Sequence, residues 1–208
     1  MKYIVISGID GSGKTTIINE LQKKLHQRGD RACYIWMRYN HYLVKMLNAL
    51  ARILTLSVKT SYGNKTVWEH RYYKSPAFFK IYIAFSYIDN LLASYKVKRI
   101  KSDKFDYVIC DRWINDVIAD IGSEFHRQNI LELNWYRRFQ KILPENTTQF
   151  VISRPDNLII DAREDNRYDI NFAERLNLYK KLEIIDTTIK VDNSGKIHDS
   201  VSYILERI

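Results

Sequence analysis

The fold is decided by the stretch Gly8-Ile9-Asp10-Gly11-Ser12-Gly13-Lys14-Thr15. It satisfies the pattern G-x-x-x-x-G-K-[ST] at every specified position, directly after an apolar run at residues 3–7 and directly before an amphipathic segment at 15–28. Glycines let such a loop turn its backbone N–H groups toward phosphate oxygens, and the dipole of the following helix favours the same anion. The stretch therefore predicts a site for a nucleoside triphosphate.

Within this loop the chemistry is divided between backbone and side chains. Lys14 supplies a positive charge at the β- and γ-phosphates, and the Thr15 hydroxyl is suited to Mg²⁺. A glycine-rich turn with an incidental lysine is the alternative. The predicted triphosphate-binding residues are Gly8, Ile9, Asp10, Gly11, Ser12, Gly13, Lys14, Thr15 and Thr16.

Outward from the loop, short apolar runs alternate with helical patterns, which is typical of βαβ units around a parallel sheet. The predicted strands are residues 3–7, 32–37, 107–110, 148–153 and 188–191. The predicted helices are 15–28, 43–54, a buried, almost wholly apolar helix at 78–92, one opened by an Asn171–Glu174 capping box, and one from about 198 to the end. Residues 57–74 form the least regular part.

The predicted fold class is thus an α/β P-loop NTPase fold, with a five-stranded parallel sheet, helices on both faces and a short arginine-bearing lid at about 155–169. The 208 residues fit a single domain over 1–208. The net charge of +9 favours anionic partners, although dispersed Lys and Arg residues also fit a generally basic surface. Without a leader or an apolar run long enough to span a membrane, we expect a cytoplasmic protein.

Two cysteines, Cys33 and Cys110, have no partner at metal-ligand spacing, which argues against zinc. The segment Asp111-Arg112-Trp113 follows the third predicted strand, so its side chains reach the edge where ligands bind in such sheets. Asp111 is a candidate for the Mg²⁺ shell or for the acceptor's proton, and Arg112 for an acceptor phosphate. The alternative is an ion pair or a cap at a strand end.

Further arginines lie at the same predicted edge. Arg38 ends the second strand and is a candidate anion ligand or a plain surface residue. Arg154, Arg163 and Arg167 follow the fourth strand, in a segment that could close over a triphosphate or form a solvated helix.

Taken together, these motifs resemble the thymidylate kinase family of P-loop nucleoside monophosphate kinases. The resemblance implies that Asp10 faces the acceptor's sugar and that Arg38 holds its phosphate. Asp111-Arg112-Trp113 is similar to the family's Asp-Arg-Tyr, and Asn166-Arg167-Tyr168-Asp169 to its lid motif. With Gly11-Ser12 in place of a loop arginine, the family pattern puts the catalytic arginines in the lid, at Arg163 and Arg167.

Base-reading positions depart from the family. Where the family has Ser-Ser and then Gln, this chain has Asp116-Val117 and Ile121. Where the family has an Arg that contacts the base, this chain has Asp89-Asn90. The family's Pro-Gly-Gly-Thr is replaced by Tyr39-Asn40-His41-Tyr42. A buried Ile cannot make the hydrogen bonds of a Gln, so the acceptor base stays open.

The leading hypothesis is ATP- and Mg²⁺-dependent phosphoryl transfer to dTMP or a related nucleotide. The assigned catalytic residues are Lys14, Asp111, Arg112, Arg163 and Arg167; the acceptor residues are Asp10, Arg38, Arg71 and Arg112; the metal residues are Thr15 and Asp111. The resemblance also implies a homodimer, for which the apolar helix 78–92 offers a surface, although burial within the monomer would explain that helix equally well.

Two alternatives stay open. In one, the acceptor is a nucleoside, another small phosphorylated molecule or a polynucleotide end, with the aromatic and basic segment 68–73 in contact with it. In the other, the protein is a nucleic-acid-binding ATPase. One observation argues against this alternative: an ATPase motor usually has a hydrophobic strand that ends in Asp-Glu, whereas this strand ends in Cys110-Asp111-Arg112.

Overall fold

The computed structural model describes residues 1–38, 42–62, 65–101, 103–162 and 169–208. In chain order its strands and helices are β1 (Lys2–Ser7), α1 (Lys14–Gln27), β2 (Ala32–Trp36), α2 (Leu43–Ile53), β3 (Ser57–Tyr62), β4 (Lys65–His70), α3 (Pro76–Lys98), β5 (Tyr107–Asp111), α4 (Ile114–Glu124), α5 (Asn134–Gln140), β6 (Thr147–Ser153), α6 (Asp156–Asp161), α7 (Phe172–Leu182), β7 (Ile189–Asp192) and α8 (Ile197–Leu205).

Within the described residues a five-stranded sheet has the order β2-β5-β1-β6-β7, and every neighbouring pair is parallel. The predicted strands are confirmed, each within one residue of its expected ends. Because β1 is central, the loop that follows it opens between the carboxyl ends of β5 and β6. This arrangement sets residues 8–13, 111–112 and 154 along one edge of the sheet.

Both faces of the sheet are covered, as the continuous apolar strands predicted. On one face Ile4 and Ile6 of β1 pack with Ile17 and Leu21 of α1, together with buried residues of α8. The other face carries a larger core made by helices α2, α3, α4, α5 and α7. This two-sided burial holds α1 against β1 and so fixes the short loop between them.

The expectation that residues 57–74 lack regular structure is wrong. Strands β3 and β4 form an antiparallel two-stranded sheet in which Ser57 pairs with His70. The Ser57 hydroxyl lies 2.7 Å from His70 Nδ1, and the His70 ring stacks on Tyr72 at 4.7 Å between centroids. A strand whose hydrophobic residues are interspersed with Ser, Thr and Lys gives a weak sequence signal, so the sequence did not predict this hairpin.

Helix α3 is longer than expected, and only one of its faces is buried. The interior face packs through Phe78, Phe79 and Ile83, but the opposite face exposes apolar side chains. The exposed members are Ile81, Ile88, Leu91, Leu92 and Tyr95. The prediction of a fully buried helix is therefore wrong, since neighbours cover only one side. In the described part of the chain no helix is long and apolar enough to cross a membrane.

Two helices begin where the sequence predicted, but their observed capping was not predicted. Asn171 does precede α7, but its side chain makes no capping hydrogen bond; instead its backbone N–H donates to Asp169 Oδ1 at 3.0 Å. Helix α2 is capped from a distance by Asp89 of α3, whose carboxylate accepts from the N–H groups of Leu43 and Val44 at 3.0 and 3.1 Å. The predicted capping box is thus wrong, and Asp89 has a structural role.

Candidate active site

The loop between β1 and α1 has the backbone that phosphate binding requires. Gly11 and Gly13 have φ of 95° and 92°, a region that side-chain-bearing residues rarely adopt. At Gly13 space adds a second constraint, because a Cβ there would lie 2.4 Å from Asn193 Nδ2. Glycine is therefore needed at position 13 both for the backbone angle and for the neighbour.

Side chains from other strands hold the loop's carbonyl groups. The Gly11 carbonyl accepts from Arg154 at 3.1 Å, and the Ser12 carbonyl accepts from Asn193 Nδ2 at 2.8 Å. Asn193 is itself fixed through its backbone N–H, which donates to Ser153 at 2.8 Å. These contacts fix the loop from outside, and within it the Ser12 N–H donates to the Ile9 carbonyl at 3.1 Å. Asn193 was not predicted, because nothing in its local sequence marks it.

Lys14 is buried, not solvated as its role at a ligand site suggested. Its side chain folds back so that Nζ donates to the Ile9 carbonyl at 2.7 Å and approaches Ser12 Oγ at 3.4 Å. Burial, followed by the charge of Arg112, lowers the pKa of Lys14 to about 7. An anion beside Nζ would raise this pKa again and favour the charged form.

A cavity of about 380 Å³ opens over the loop. Its described lining is Asp10, Gly11, Gly13, Lys14, Thr15, Thr16, Trp36, Arg38, Asp111, Arg112, Arg154 and Ala162. Most of the residues proposed from sequence are thus brought together. Gly8, Ile9 and Ser12 are buried in the loop itself, where they offer backbone groups.

Two arginines converge on one carboxylate at the edge of this cavity. Arg38 donates to Asp10 Oδ2 at 3.1 Å, and Arg112 binds Asp10 Oδ1. Burial alone would raise the pKa of Asp10, but Arg112, Arg38 and Lys14 outweigh it and hold that pKa well below its usual range. Asp10 therefore stays ionised and keeps both guanidinium groups pointing at the loop.

Arg112 is positioned by a buried network. Its backbone has φ of 67°, and its N–H donates to the Ile6 carbonyl at 2.9 Å. Its guanidinium also donates to Asp116 Oδ1 at 3.1 Å, and the same oxygen accepts from the Tyr179 hydroxyl at 2.7 Å. Asp116, noted in the sequence only as a departure from the family, thus orients Arg112.

The candidate metal ligands are oxygen donors at neighbouring strand and helix positions. Asp111 is buried at the end of β5, where its Oδ2 accepts from the Tyr34 hydroxyl at 2.9 Å. Thr15 is exposed at the start of α1. Both line the cavity, and a carboxylate with a hydroxyl suits Mg²⁺, which takes few protein ligands and keeps several waters.

The remaining arginines proposed from the sequence have different outcomes. Arg163 and Arg167 fall outside the described residues. Arg71 pairs with Glu69, Nε to Oε1 at 2.8 Å, and is not among the described residues that line the cavity. Arg154, expected on a mobile flap, follows the end of β6 directly and reaches the loop from there.

Beyond Arg38 lies a second group of charged and aromatic residues. Arg175 of α7 binds both Asp120 and Asp169, and Asp120 also lies 3.7 Å from Arg38. Glu124 ends α4, and its Oε2 is buried without a hydrogen-bond partner among the described residues. Burial raises the pKa of Glu124 to about 8; Arg175 opposes this rise, and the nearby Asp residues add to it. The rings of Tyr72, Phe78, Tyr82 and Phe125 pack together nearby, with centroids 5.1 to 6.2 Å apart.

Strand order, loop and flanking helices define an α/β P-loop NTPase fold. Comparison with solved structures agrees: the chain is similar to thymidylate kinase from Candida albicans, with 20% identity, a TM-score of 0.57 and coverage of 100% of this chain and 90% of that one. That kinase is described as having broad substrate specificity and a novel structural element. No protein-family model and no curated protein sequence matches the chain. At this identity the likeness establishes the fold.

Proposed function

We propose that the protein is a nucleoside monophosphate kinase that transfers the γ-phosphoryl group of ATP to dTMP or a related nucleotide. One observation carries the proposal: the cavity over the loop is lined by Lys14 together with two arginines, Arg38 and Arg112. A hydrolase needs one anion site, whereas a kinase of phosphorylated acceptors needs two that face each other. The likeness to a thymidylate kinase supports the same class.

In this proposal the chain's own residues bind and orient. The loop amides and Lys14 bind the β- and γ-phosphates, and Arg38 and Arg112 bind the acceptor phosphate while Asp10 orients them and the acceptor's sugar. An acceptor oxygen attacks the γ-phosphorus in line as the bond to the β,γ-bridging oxygen breaks, which releases ADP. Such a reaction depends on positioning and electrostatic stabilisation more than on covalent chemistry by the protein.

Mg²⁺ fits the donor set formed by Thr15 and Asp111. When bound, it would neutralise phosphate charge and orient the triphosphate. Arg163 and Arg167 remain proposed lid arginines, within a lid at about 155–169 of a single domain. Arg71 remains a proposed acceptor contact, reached only if the acceptor extends toward β4.

A homodimer is part of the proposal. The exposed stripe on α3 at Ile81, Ile88 and Leu92 is apolar, and single scattered apolar residues would not form such a row. A second copy of the chain is the partner we expect on this stripe. Sedimentation of the wild type and of an Ile88→Glu variant tests it: the wild type should be a dimer and the variant a monomer, and a monomeric wild type would refute it.

Phosphoryl transfer to a panel of acceptors tests the function. The panel contains all common nucleoside monophosphates, nucleosides and a 5′-hydroxyl oligonucleotide, with ATP and Mg²⁺ as donor. We expect a diphosphate product from one or a few monophosphates. Phosphate release that ignores every acceptor and rises with added nucleic acid would instead establish the ATPase alternative.

A further inference from the structure

Arg154 lies beside the loop between β1 and α1. It directly follows β6, which neighbours β1 in the sheet, and it lines the same cavity as Lys14 and Thr15. One terminal guanidinium nitrogen donates to the Gly11 carbonyl at 3.1 Å. The side chain is therefore held by the end of a core strand and by the loop itself.

Within the described residues, the charge of Arg154 has no carboxylate partner. The other cavity arginines, Arg38 and Arg112, both bind Asp10, but no carboxylate in the described part of the chain forms an ion pair with Arg154. Its Nε is buried without a hydrogen-bond partner among those residues. A guanidinium has five N–H donors, and buried donors in folded proteins are nearly always paired. An anionic ligand in the cavity would supply acceptors for the remaining donors.

We propose that Arg154 is a further catalytic residue, which binds the terminal phosphate of ATP and stabilises the charge on the transferring group. The role rests on the proposed kinase function. While the γ-phosphoryl group leaves the β,γ-bridging oxygen and bonds to the acceptor oxygen, Arg154 donates hydrogen bonds to its equatorial oxygens; no proton or electron passes to the arginine. Because its position is preset by Gly11, little reorganisation is required.

A purely supporting role makes a different prediction. If Arg154 only held the Gly11 carbonyl, its loss would loosen the loop and lower the affinity for every nucleotide that binds to the loop amides. If it binds the terminal phosphate, its loss would weaken ATP but leave ADP nearly unchanged. The ratio of the two affinities therefore separates the roles without requiring turnover.

The first experiment measures Mg-ATP and Mg-ADP binding by calorimetry for wild type, Arg154→Met and Arg28→Met. Arg28 is an exposed arginine just beyond α1, about 21 Å along that helix from the loop. Its substitution by Met removes the same charge as Arg154→Met and serves as the control. We expect Arg154→Met to lower the affinity for ATP at least about tenfold and the affinity for ADP less than about twofold, consistent with one lost charge-assisted contact. The Arg28 control should change neither. Equal weakening of both nucleotides, or of neither, would overturn the proposal.

The second experiment measures turnover with the best acceptor. Arg154→Met should lower kcat about 100-fold, as for other preorganised transition-state donors, and Arg154→Lys should recover part of it. Added guanidinium ion should partly rescue Arg154→Ala, which a folding defect would not allow. Wild-type kcat in all three variants would contradict the proposal, whereas a wild type that binds ATP but transfers to no acceptor would contradict the kinase function instead.

Discussion

Asn193 donates a hydrogen bond from Nδ2 to the carbonyl of Ser12 across 2.8 Å and 181 positions of sequence. The contact joins the turn after β7 to the loop between β1 and α1. It also explains the glycine at position 13, where a side chain would collide with the Asn193 amide. The loop is thus held partly by a residue near the other end of the chain.

Replacement of Asn193 by Ala should therefore weaken ATP about three- to tenfold, which corresponds to a net hydrogen bond of about 0.5–1.5 kcal/mol. Asn193→Asp should weaken ATP more, because a carboxylate would face both a carbonyl and the phosphates. Titration calorimetry checks both, with exposed Asn129→Ala as control. ATP affinity unchanged in both Asn193 variants would show that the contact is incidental.

Lys14 gives a proton-linked prediction. With a pKa lowered to about 7 by burial and Arg112, it is mostly neutral at pH 8 without nucleotide, and phosphate oxygens favour its charged form. ATP binding at pH 8 should therefore take up a proton. Calorimetry in buffers of different ionisation enthalpy measures this uptake, which should vanish in Lys14→Met together with phosphoryl transfer. Equal uptake in wild type and variant would assign the proton to another group.

In the proposed kinase, a change at Arg38 should separate acceptor binding from donor binding. Arg38→Met should raise the KM for the acceptor monophosphate about 10- to 100-fold, through loss of a charge-assisted contact, while the KM for ATP changes less than about threefold. The remaining Arg112–Asp10 pair keeps the carboxylate compensated. Steady-state kinetics with each substrate varied checks the split. A rise confined to the KM for ATP would reverse the two sites.

Glu124 links stability to pH. Its pKa is raised from 4.5 to about 8 in the folded protein, so the folded state binds the extra proton between those values. The stabilising contribution is complete below pH 4.5 and is lost as the pH rises to about 8. Glu124→Gln mimics the protonated form and should raise the thermal midpoint at pH 8 much more than at pH 5. The same shift at both pH values would exclude this titration.

Asp89 is predicted to stabilise α2 from outside that helix. Asp89→Ala removes the acceptor of two N–H groups, at Leu43 and Val44, and should lower the free energy of unfolding by about 1–3 kcal/mol. Asp89→Asn should lower it less because an amide oxygen remains. Denaturant unfolding measures both. An Ala variant as stable as wild type would mean that other groups satisfy these donors.

Sequence information was sufficient where the chemistry is local. Residues 8–15 contain the whole signal for the loop, and continuous apolar runs marked the five parallel strands. It was insufficient where partners are distant, because Asn193 and Asp89 act on elements far away in the chain. Asp116 lies only four residues from Arg112, but the sequence does not show the turn at the end of β5 that brings the two side chains together. The β3–β4 pair escaped because alternating polar residues mask a strand, and the exposed face of α3 because apolar composition alone does not tell which side is covered.

Phosphoryl transfer to a monophosphate can be measured directly by ³¹P NMR of the products formed from ATP, Mg²⁺ and the best acceptor monophosphate. A nucleoside monophosphate kinase should give ADP and the acceptor diphosphate in equal amounts, little inorganic phosphate, and no product with Lys14→Met. ADP accompanied by an equal amount of inorganic phosphate, with the acceptor unchanged, would contradict it.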